Sequence, residues 1–305
     1  QCRSLGDAVQ VFDQASKRET AVWNSMIMAY AQYGRLQDAL RVYEQMKKVA
    51  MDVDADTYVA LQRACASRAA LEQGMTLQDT SDHWDHYDKP SVGAAIIDMY
   101  AKSGGDIEDC HAVFDKLPKN ELLPWCALIA AYTHLGDAQG ALQQFKEMQV
   151  QGLKPDRVAY LNILKACSMM DDPAQGRMIH RQIQENNLED DPILGSALID
   201  MYSVCGNLEN AFRMFFQGKD DIITCNAMLR ALVHHGKNQE ALELFEKMHQ
   251  EVEPNEASVL AAFKACIGIR SLKDAKRLHT YCIERNFESH PAVGRSLVAM
   301  YANLS

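Results

Sequence analysis

The chain has 305 residues, 48% of them hydrophobic, and a formal net charge of −10 at pH 7. This acidic balance argues against binding nucleic acid through bulk positive charge, because phosphate contacts depend on Lys and Arg; any such site must be a local stripe. No run of about 18 apolar residues is present, so the sequence predicts no membrane span.

The clearest unit of the sequence runs from Thr20 to Asp54. Before Gly34, apolar residues recur at the helical spacing i, i+3, i+4, i+7, namely Trp23, Met26, Ile27 and Tyr30. After the glycine the spacing restarts at Leu36, Ala39, Leu40 and Tyr43. The pattern predicts two amphipathic helices joined by a tight turn. One hairpin cannot bury both of its apolar stripes, so it needs neighbours.

The neighbours are further copies of the hairpin, in three alternating kinds. A partial repeat of the third kind is predicted at 1–19. The first, second and third kinds then follow in order at 20–54, 55–89 and 90–121, and the same order returns at 122–156, 157–191 and 192–221. The last round has the first kind at 222–255, the second at 256–290 and a partial third at 291–305. Repeats of about 35 residues that stack on one another predict an all-α fold, an α-solenoid superhelix of helix-turn-helix repeats.

The two partial repeats expose apolar faces that a natural solenoid covers with capping repeats. We therefore expect the chain to be a piece of a longer protein, without its transit peptide. Self-association through these terminal half-repeats is an alternative way to cover the faces.

Cysteine is frequent, with nine residues in the sequence. Three of them, Cys65, Cys167 and Cys266, occupy the same place in successive copies of the second kind of repeat. Cysteines locked to the repeat pattern are expected to be small core residues, and a reducing compartment follows.

Three alternating kinds of hairpin, with the segments WNSMIMAYAQYG, LKACS and SALIDMYSVCGNLENA, closely resemble the PLS class of pentatricopeptide repeat (PPR) proteins, whose repeats are called P, L and S. The resemblance covers essentially every residue. It implies a single-stranded RNA-binding superhelix of the plant organellar RNA-editing-factor type, located in the chloroplast or mitochondrion. In that family the fifth and last residues of a repeat select one base.

The helical spacing itself supports a binding face on the first helix. Ala21, Asn24 and Met28 fall at i, i+3 and i+7, opposite the packing residues, and stacking of hairpins would turn that face to the concave side. A short amide or hydroxyl there can hydrogen-bond a base edge, and an apolar residue one turn earlier can stack on a base. The predicted stacking residues are Ala21, Leu123, Ile193 and Ile223.

Five pairs of residues match the fifth and last positions of P- or S-type repeats. By resemblance, Asn24 with Asp54 is a uracil-reading pair, Ser196 with Asp221 a guanine-reading pair, and Asn226 with Asn255 a pyrimidine-reading pair that leans to cytosine. Two pairs depart from the usual combinations, Cys126 with Asp156 and Ala94 with Glu121. L-type repeats carry Val59, Leu161 and Leu260 at the fifth position, which cannot hydrogen-bond, so we expect spacers.

Each of these residues also has a simpler interpretation. The asparagines could be solvated helix residues, and the aspartates could be N-caps of the next helix, a role compatible with orienting a base reader. Predicted phosphate contacts are Arg63, Lys165, Lys264 and Arg230, about one turn beyond the fifth position, and Lys102, two turns beyond. A solvated helix face is the alternative.

Catalytic and metal motifs are incomplete. The cytidine deaminase domain that ends many full-length PLS relatives needs His-x-Glu and Pro-Cys-x-x-Cys. His249-Gln250-Glu251 matches the first, but no Cys-x-x-Cys occurs in the sequence. The segment 82–88, DHWDHYD, has two histidines without a third ligand set and is expected to be an acidic helix end. We predict no enzymatic activity, no metal and no cofactor.

The predicted function is sequence-selective binding of single-stranded RNA for organellar C-to-U editing, with a deaminase domain or an editing cofactor protein as partner. Two alternatives stay open: a protein-interaction scaffold, which the acidic charge favours, and an RNA splicing or stability factor.

Overall fold

The computed structural model describes residues 5–14, 19–66, 89–217 and 221–304, which form 17 α-helices, one short 3₁₀ helix and no strand. In chain order the helices are α1 (Leu5–Gln14), α2 (Thr20–Gln32), α3 (Leu36–Lys48), α4 (Ala55–Cys65), α5 (Pro90–Ser103), α6 (Ile107–Phe114), α7 (Leu122–Leu135), α8 (Ala138–Val150), α9 (Arg157–Met170), α10 (Pro173–Glu185), α11 (Pro192–Val204), α12 (Leu208–Gln217), α13 (Ile222–His234), α14 (Asn238–Glu251), α15 (Glu256–Ile269), α16 (Leu272–Glu284) and α17 (Pro291–Leu304), with the 3₁₀ helix at Phe287–Ser289. None of these helices is long and apolar enough to cross a membrane.

The predicted fold class, an all-α helical-repeat solenoid, is confirmed. A helix begins at residues 20, 55, 90, 122, 157, 192, 222, 256 and 291, which are the first residues of the predicted repeats. The assignment of these repeats to three kinds stays a prediction.

Glycine ends the first helix of several hairpins. Gly34 and Gly136 have φ of +65° and +92°, in the left-handed region that side chains with a Cβ rarely adopt. The chain therefore reverses within a few residues, and the second helix packs back on the first.

The chain divides into two compact units, Gln1–Ala166 and Cys167–Ser305. In the first unit, consecutive first helices pack side by side, α2 on α4, α4 on α5 and α5 on α7. In the second unit, α11 packs on α13, α13 on α15 and α15 on α17. Each unit thus has a layer of first helices, and residues on their shared side approach one another across repeats.

Aromatic residues hold successive hairpins of the first unit together. Phe12 packs edge-on against Trp23, with ring centroids 5.0 Å apart, and Phe114 packs in the same way against Trp125 at 4.8 Å. Each contact joins the second helix of one hairpin to the first helix of the next, and such pairs add about 1 kcal/mol beyond burial. This packing fixes the side of α2 and α7 that faces the core.

The cysteines in repeat register are core residues, as predicted. Cys65, Cys167 and Cys266 are buried and free. Burial raises the pKa of Cys65 to about 11 and the pKa of Cys167 and of Cys266 to about 12, so these thiols stay protonated.

Candidate nucleic-acid interface

The fifth residue of the first complete repeat, Asn24 on α2, belongs to a hydrogen-bond network that crosses into the next repeat. Its Nδ2 donates to Asp54 Oδ1 at 2.9 Å, and its Oδ1 accepts from Thr57 Oγ1 at 2.7 Å. Asp54 is also the N-cap of α4, where its Oδ1 accepts from the Thr57 backbone N–H at 2.9 Å. The Asp54 carboxylate therefore both caps α4 and holds Asn24 in place.

The repeat that starts at Ile222 has the same network with two changed residues. Asn226 Nδ2 donates to Asn255 Oδ1 at 3.1 Å, and Ser258 Oγ donates to Asn226 Oδ1 at 2.6 Å. Asn255 caps α15 by accepting from the Ser258 N–H at 3.2 Å. The two networks are equivalent in position and in bonding, and they differ in charge.

A third repeat keeps the contact between the fifth and last residues with weaker chemistry. Cys126 Sγ lies 3.8 Å from Asp156 Oδ1, which also accepts from the Ala159 N–H at 2.8 Å. Burial, together with the nearby Asp156 charge, raises the pKa of Cys126 to about 12. The thiol stays protonated, so it is a weak donor to Asp156.

The remaining two predicted pairs are bonded differently. Ser196 Oγ donates to Ile193 O of its own helix at 2.8 Å, and Asp221 caps α13 through the N–H groups of Ile223 and Thr224. Ala94 offers no polar side-chain atom. Glu121 precedes α7 without a side-chain cap bond.

Burial at the fifth position is greater than the sequence pattern indicates. Asn226, Cys126 and Ala94 are only 6%, 4% and 8% exposed, whereas Asn24 and Ser196 are partly exposed. The reason is the close packing of consecutive first helices, which places this position in the seam between them. These side chains are therefore accessible only from the rim of the seam.

The Asp54 side chain is ionised at neutral pH. Partial burial alone would raise its pKa, but hydrogen bonds from the Thr57 N–H, the Asn24 amide and the Thr57 hydroxyl outweigh that effect and lower the pKa below its ordinary value. The first network therefore carries a negative charge that the Asn226 network lacks.

A groove of about 510 Å³ runs across α4, α5, α7 and α9 in the first unit. It brings together six of the predicted residues, namely Ala94, Cys126 and Leu123 with Arg63, Lys102 and Lys165. Asn162, which the sequence did not indicate, also lines it and donates to the Cys126 carbonyl at 3.3 Å. Residues predicted to contact base edges, stacked bases and phosphates thus line one groove.

The predicted stacking residues are solvent-accessible although most are apolar. Leu123, Ile193 and Ile223 are 48%, 37% and 42% exposed, and Ala21 is exposed as well. They are the second residues of their repeats, one turn from the fifth position. Exposed branched apolar side chains at one repeat position are suited to contact a flat apolar partner.

Two of the predicted phosphate contacts are already paired with carboxylates. Arg230 Nη2 lies 2.7 Å from Asp200 Oδ2, and Lys102 Nζ lies 2.8 Å from Asp98 Oδ2. Arg63, Lys165 and Lys264 are exposed. Their positive charge is therefore more available to a phosphate than that of the two paired residues.

Two residues that sequence reasoning missed complete the networks, Thr57 and Ser258. Both are fully buried polar residues, and each is the third residue of its repeat, 55–89 or 256–290. A hydroxyl three residues after an Asp or Asn cap is the signal of a capping box and could have identified them. The additional bond to the preceding repeat could not be read from that spacing.

Two segments singled out in the sequence lie partly or wholly outside the described residues. Residues 82–88 are not among the described residues, and the side chains of 249–251 at the end of α14 are not described. Among the described residues, no group of three or more His, Cys, Asp or Glu side chains is arranged to hold a metal ion.

Stacked helical hairpins with polar contacts between their first helices define a helical-repeat solenoid. Models of the PPR repeat family match residues 18–67 and 220–267, the pentatricopeptide repeat domain matches 119–170, and the PPR repeat matches 196–221. Together these matches cover more than half of the chain. The protein belongs to the pentatricopeptide repeat family.

Named relatives come from Arabidopsis thaliana. The putative pentatricopeptide repeat-containing protein At3g13770, mitochondrial, is 32% identical over 87% of this chain and 42% of its own length. The chloroplastic protein At4g18520 is 29% identical over 99% of this chain and 49% of its length, and the mitochondrial protein At3g02330 is 28% identical over 95% and 34%. The chain thus spans between a third and a half of these relatives.

The fold is similar to that of solved PPR proteins. The crystal structure of PPR10 in complex with an 18-nt psaJ RNA element superposes with a TM-score of 0.66, at 17% identity, over 98% of this chain and 45% of that one. PPR10 from maize gives 0.65 at 18% identity, over 99% and 44%.

Proposed function

We propose that this chain is a sequence-selective single-stranded RNA-binding module that takes roughly one base per P- or S-type repeat. The observation that carries the proposal is the hydrogen-bonded pair formed by the fifth residue of a repeat and its last residue, which recurs at Asn24–Asp54 and Asn226–Asn255. A partly buried polar pair that recurs between repeats otherwise packed by apolar residues has hydrogen-bonding capacity left for a further partner.

The amide has the capacity to bind a base edge. An asparagine side chain offers two N–H donors and an acceptor oxygen with two lone pairs. In Asn24 one donor is taken by Asp54 and one lone pair by Thr57, which leaves one N–H and one lone pair for a further partner. This combination matches a base edge that presents an acceptor next to a donor.

The groove of the first unit supports the same function by different chemistry. Leu123 supplies an exposed apolar surface for stacking, and Arg63 and Lys165 supply positive charge about one turn beyond the fifth position. Affinity for RNA is expected to be modest and to fall steeply with salt, because the chain as a whole is acidic. Salt-insensitive tight binding would contradict this proposal.

We further propose an organellar role in C-to-U editing, in which this array positions a deaminase domain or a separate editing protein on its target. Support comes from the three alternating kinds of repeat, from relatives named mitochondrial or chloroplastic, and from PPR10, whose solved complex contains an 18-nt RNA. Loss of one specific C-to-U conversion in organellar transcripts of a mutant lacking the full-length protein is the expected outcome. Unchanged editing with altered splicing or transcript abundance would instead indicate a role in RNA splicing or stability.

The RNA proposal is tested by fluorescence anisotropy with labelled oligonucleotides. The matched RNA carries uracil for the repeat 20–54, guanine for 192–221 and cytosine for 222–255, ordered 5′ to 3′ and separated by nucleotides for the intervening repeats. We expect this RNA to bind at least about tenfold more tightly than a scrambled RNA of the same composition. Equal binding, or none at low salt, would instead favour a protein-interaction scaffold.

A further inference from the structure

The hydroxyls of Thr57 and Ser258 do more in this structure than cap a helix. Each donates to the fifth-position asparagine of the preceding repeat, at 2.7 Å in the first network and 2.6 Å in the second. Both residues are fully buried. Each hydroxyl also accepts from the backbone N–H of the cap residue, at 3.3 Å from Asp54 and 3.1 Å from Asn255.

Two oxygens compete for the Thr57 hydroxyl proton. Thr57 Oγ1 lies 2.8 Å from Asp54 Oδ1 as well as 2.7 Å from Asn24 Oδ1, and it has one proton to give. Asp54 Oδ1 already accepts from the Asn24 amide and the Thr57 N–H. The Thr57 hydroxyl can therefore donate to either oxygen, whereas Ser258 Oγ lies clearly nearer to Asn226 Oδ1, at 2.6 Å, than to Asn255 Oδ1, at 3.2 Å.

The orientation of the amide follows in turn. If the Asn24 amide were flipped, its oxygen would lie 2.9 Å from a carboxylate oxygen and its NH₂ would face the Thr57 hydroxyl. The carboxylate therefore selects the orientation of the amide, and the hydroxyl, which can both donate and accept, holds the amide oxygen in place. In the second network Asn255 Oδ1, held by the Ser258 N–H, orients the Asn226 amide in the same way, and the Ser258 hydroxyl anchors the amide oxygen.

The distribution of hydroxyls along the chain agrees with this role. Among the P-type repeats, the third residue of the following repeat is Thr57 or Ser258 where the fifth residue is asparagine. It is Ala159 where the fifth residue is Cys126, which has no acceptor oxygen to anchor. Asp156 still caps α9 there through the Ala159 N–H, so capping alone does not require the hydroxyl.

We propose that Thr57 and Ser258 are specificity-determining positioning residues: each hydroxyl anchors the amide oxygen of the asparagine in the preceding repeat and thereby fixes the position of the donor and acceptor offered to the base. This inference rests on the proposed RNA-binding function. Uracil has an N3–H donor beside the O4 acceptor and cytosine an N3 acceptor beside the N4 donor, so hydrogen bonds tell them apart only if the amide groups have fixed positions. An anchored amide therefore discriminates between bases better than a mobile one.

The test compares base preference with overall affinity. Four RNAs that differ only at the nucleotide facing the repeat 222–255 are titrated against the wild type and Ser258→Ala. We expect the uracil-to-cytosine ratio of Kd values to move toward one by about fivefold, the usual effect of one net hydrogen bond. Ser258→Thr, which keeps the hydroxyl, should retain the wild-type ratio.

The matched control is Ser271→Ala. Ser271 caps α16 by accepting from the Asp274 N–H at 3.2 Å and is not part of either network. It should lower the melting temperature as much as Ser258→Ala without changing the ratio of Kd values. If Ser258→Ala instead lowers affinity for all four RNAs by one factor, or changes nothing, the positioning role is wrong while the RNA-binding function stands.

A second experiment introduces the asparagine and the anchoring hydroxyl into a repeat that has neither. Cys126→Asn alone is compared with Cys126→Asn/Ala159→Ser, using RNAs that vary at the nucleotide facing the repeat 122–156. The double variant should discriminate among bases at least about threefold better than the single variant. Equal discrimination overturns the inference even if Ser258→Ala fails to fold, and a wild type that binds no RNA overturns both proposals.

Discussion

The repeats 20–54 and 122–156 place very different side chains at the same position. In the first, Asn24 is partly exposed and held by two partners; in the second, Cys126 is 4% exposed and makes one weak contact. Their last residues, Asp54 and Asp156, nevertheless cap the next helix in the same way. The cap thus serves the fold in both repeats, and the fifth residue is left to vary with function.

The largest expected contrast is in thiol chemistry. Because burial raises the pKa of Cys126 to about 12, its thiolate fraction at pH 8 is on the order of 10³ lower than that of an unperturbed cysteine. Iodoacetamide should therefore modify Cys126 in the native protein at least about 10³-fold more slowly than in the denatured chain, measured site by site by mass spectrometry. Native modification within tenfold of the denatured rate would mean that the seam opens.

The next contrast is in base preference. Asn24→Ala should reduce discrimination at the nucleotide facing the repeat 20–54 by about tenfold, because it removes a donor and an acceptor. Cys126→Ala should change discrimination at its own nucleotide by less than about twofold. Anisotropy titrations measure both, with melting curves to verify that each variant is folded. A larger loss at Cys126 than at Asn24 would reverse the comparison.

A smaller contrast is in pH dependence. The folded pKa of Asp54 lies below its ordinary value, so its contribution to stability is fully present above that value and is lost as pH falls through the folded pKa. The difference in free energy of unfolding between wild type and Asp54→Asn, about 1 kcal/mol at most, should be constant from pH 7 to 5 and decline below about pH 4. Urea unfolding at several pH values measures it.

The neutral network provides the control for that experiment. Asn226, Asn255 and Ser258 do not titrate in this range. The difference in free energy of unfolding between wild type and Asn255→Ala should therefore not change with pH. A matching decline for Asn255→Ala would assign the pH dependence to other carboxylates.

The smallest contrast is in charge. Lys165 and Lys102 line the same groove, but Lys102 is paired with Asp98 at 2.8 Å. Lys165→Gln should lower affinity for all RNAs about equally and reduce the slope of log Kd against log salt by about 0.7, whereas Lys102→Gln should have less effect. A change in base preference from either variant would mean that these side chains contact bases.

The sequence predicted the helices well because their limits are local. Apolar spacing, Gly34 and Gly136 at helix ends, and Asp or Asn before first helices are all visible within a few residues. The all-α solenoid and the starts of its first helices follow from these signals, and repetition reinforces each of them.

The details of the candidate site depend on contacts between residues that are far apart in the sequence. The bond between Thr57 and Asn24 joins residues 33 positions apart, and the ion pair between Arg230 and Asp200 joins residues 30 apart. Neither helix periodicity nor capping signals specify such pairs. The burial of Asn226 could not be predicted for the same reason, since it depends on how closely two first helices approach.

The capping boxes that cross repeat boundaries bear on how such arrays are recombined. A graft cut after Asp54 would transplant Asn24 and its carboxylate but leave the Thr57 hydroxyl behind. The smallest transferable unit therefore ends three residues into the following repeat, at Thr57 or Ser258. Chimaeras joined after that residue should keep the donor repeat's base preference, and chimaeras joined before it should inherit the anchoring group of the recipient.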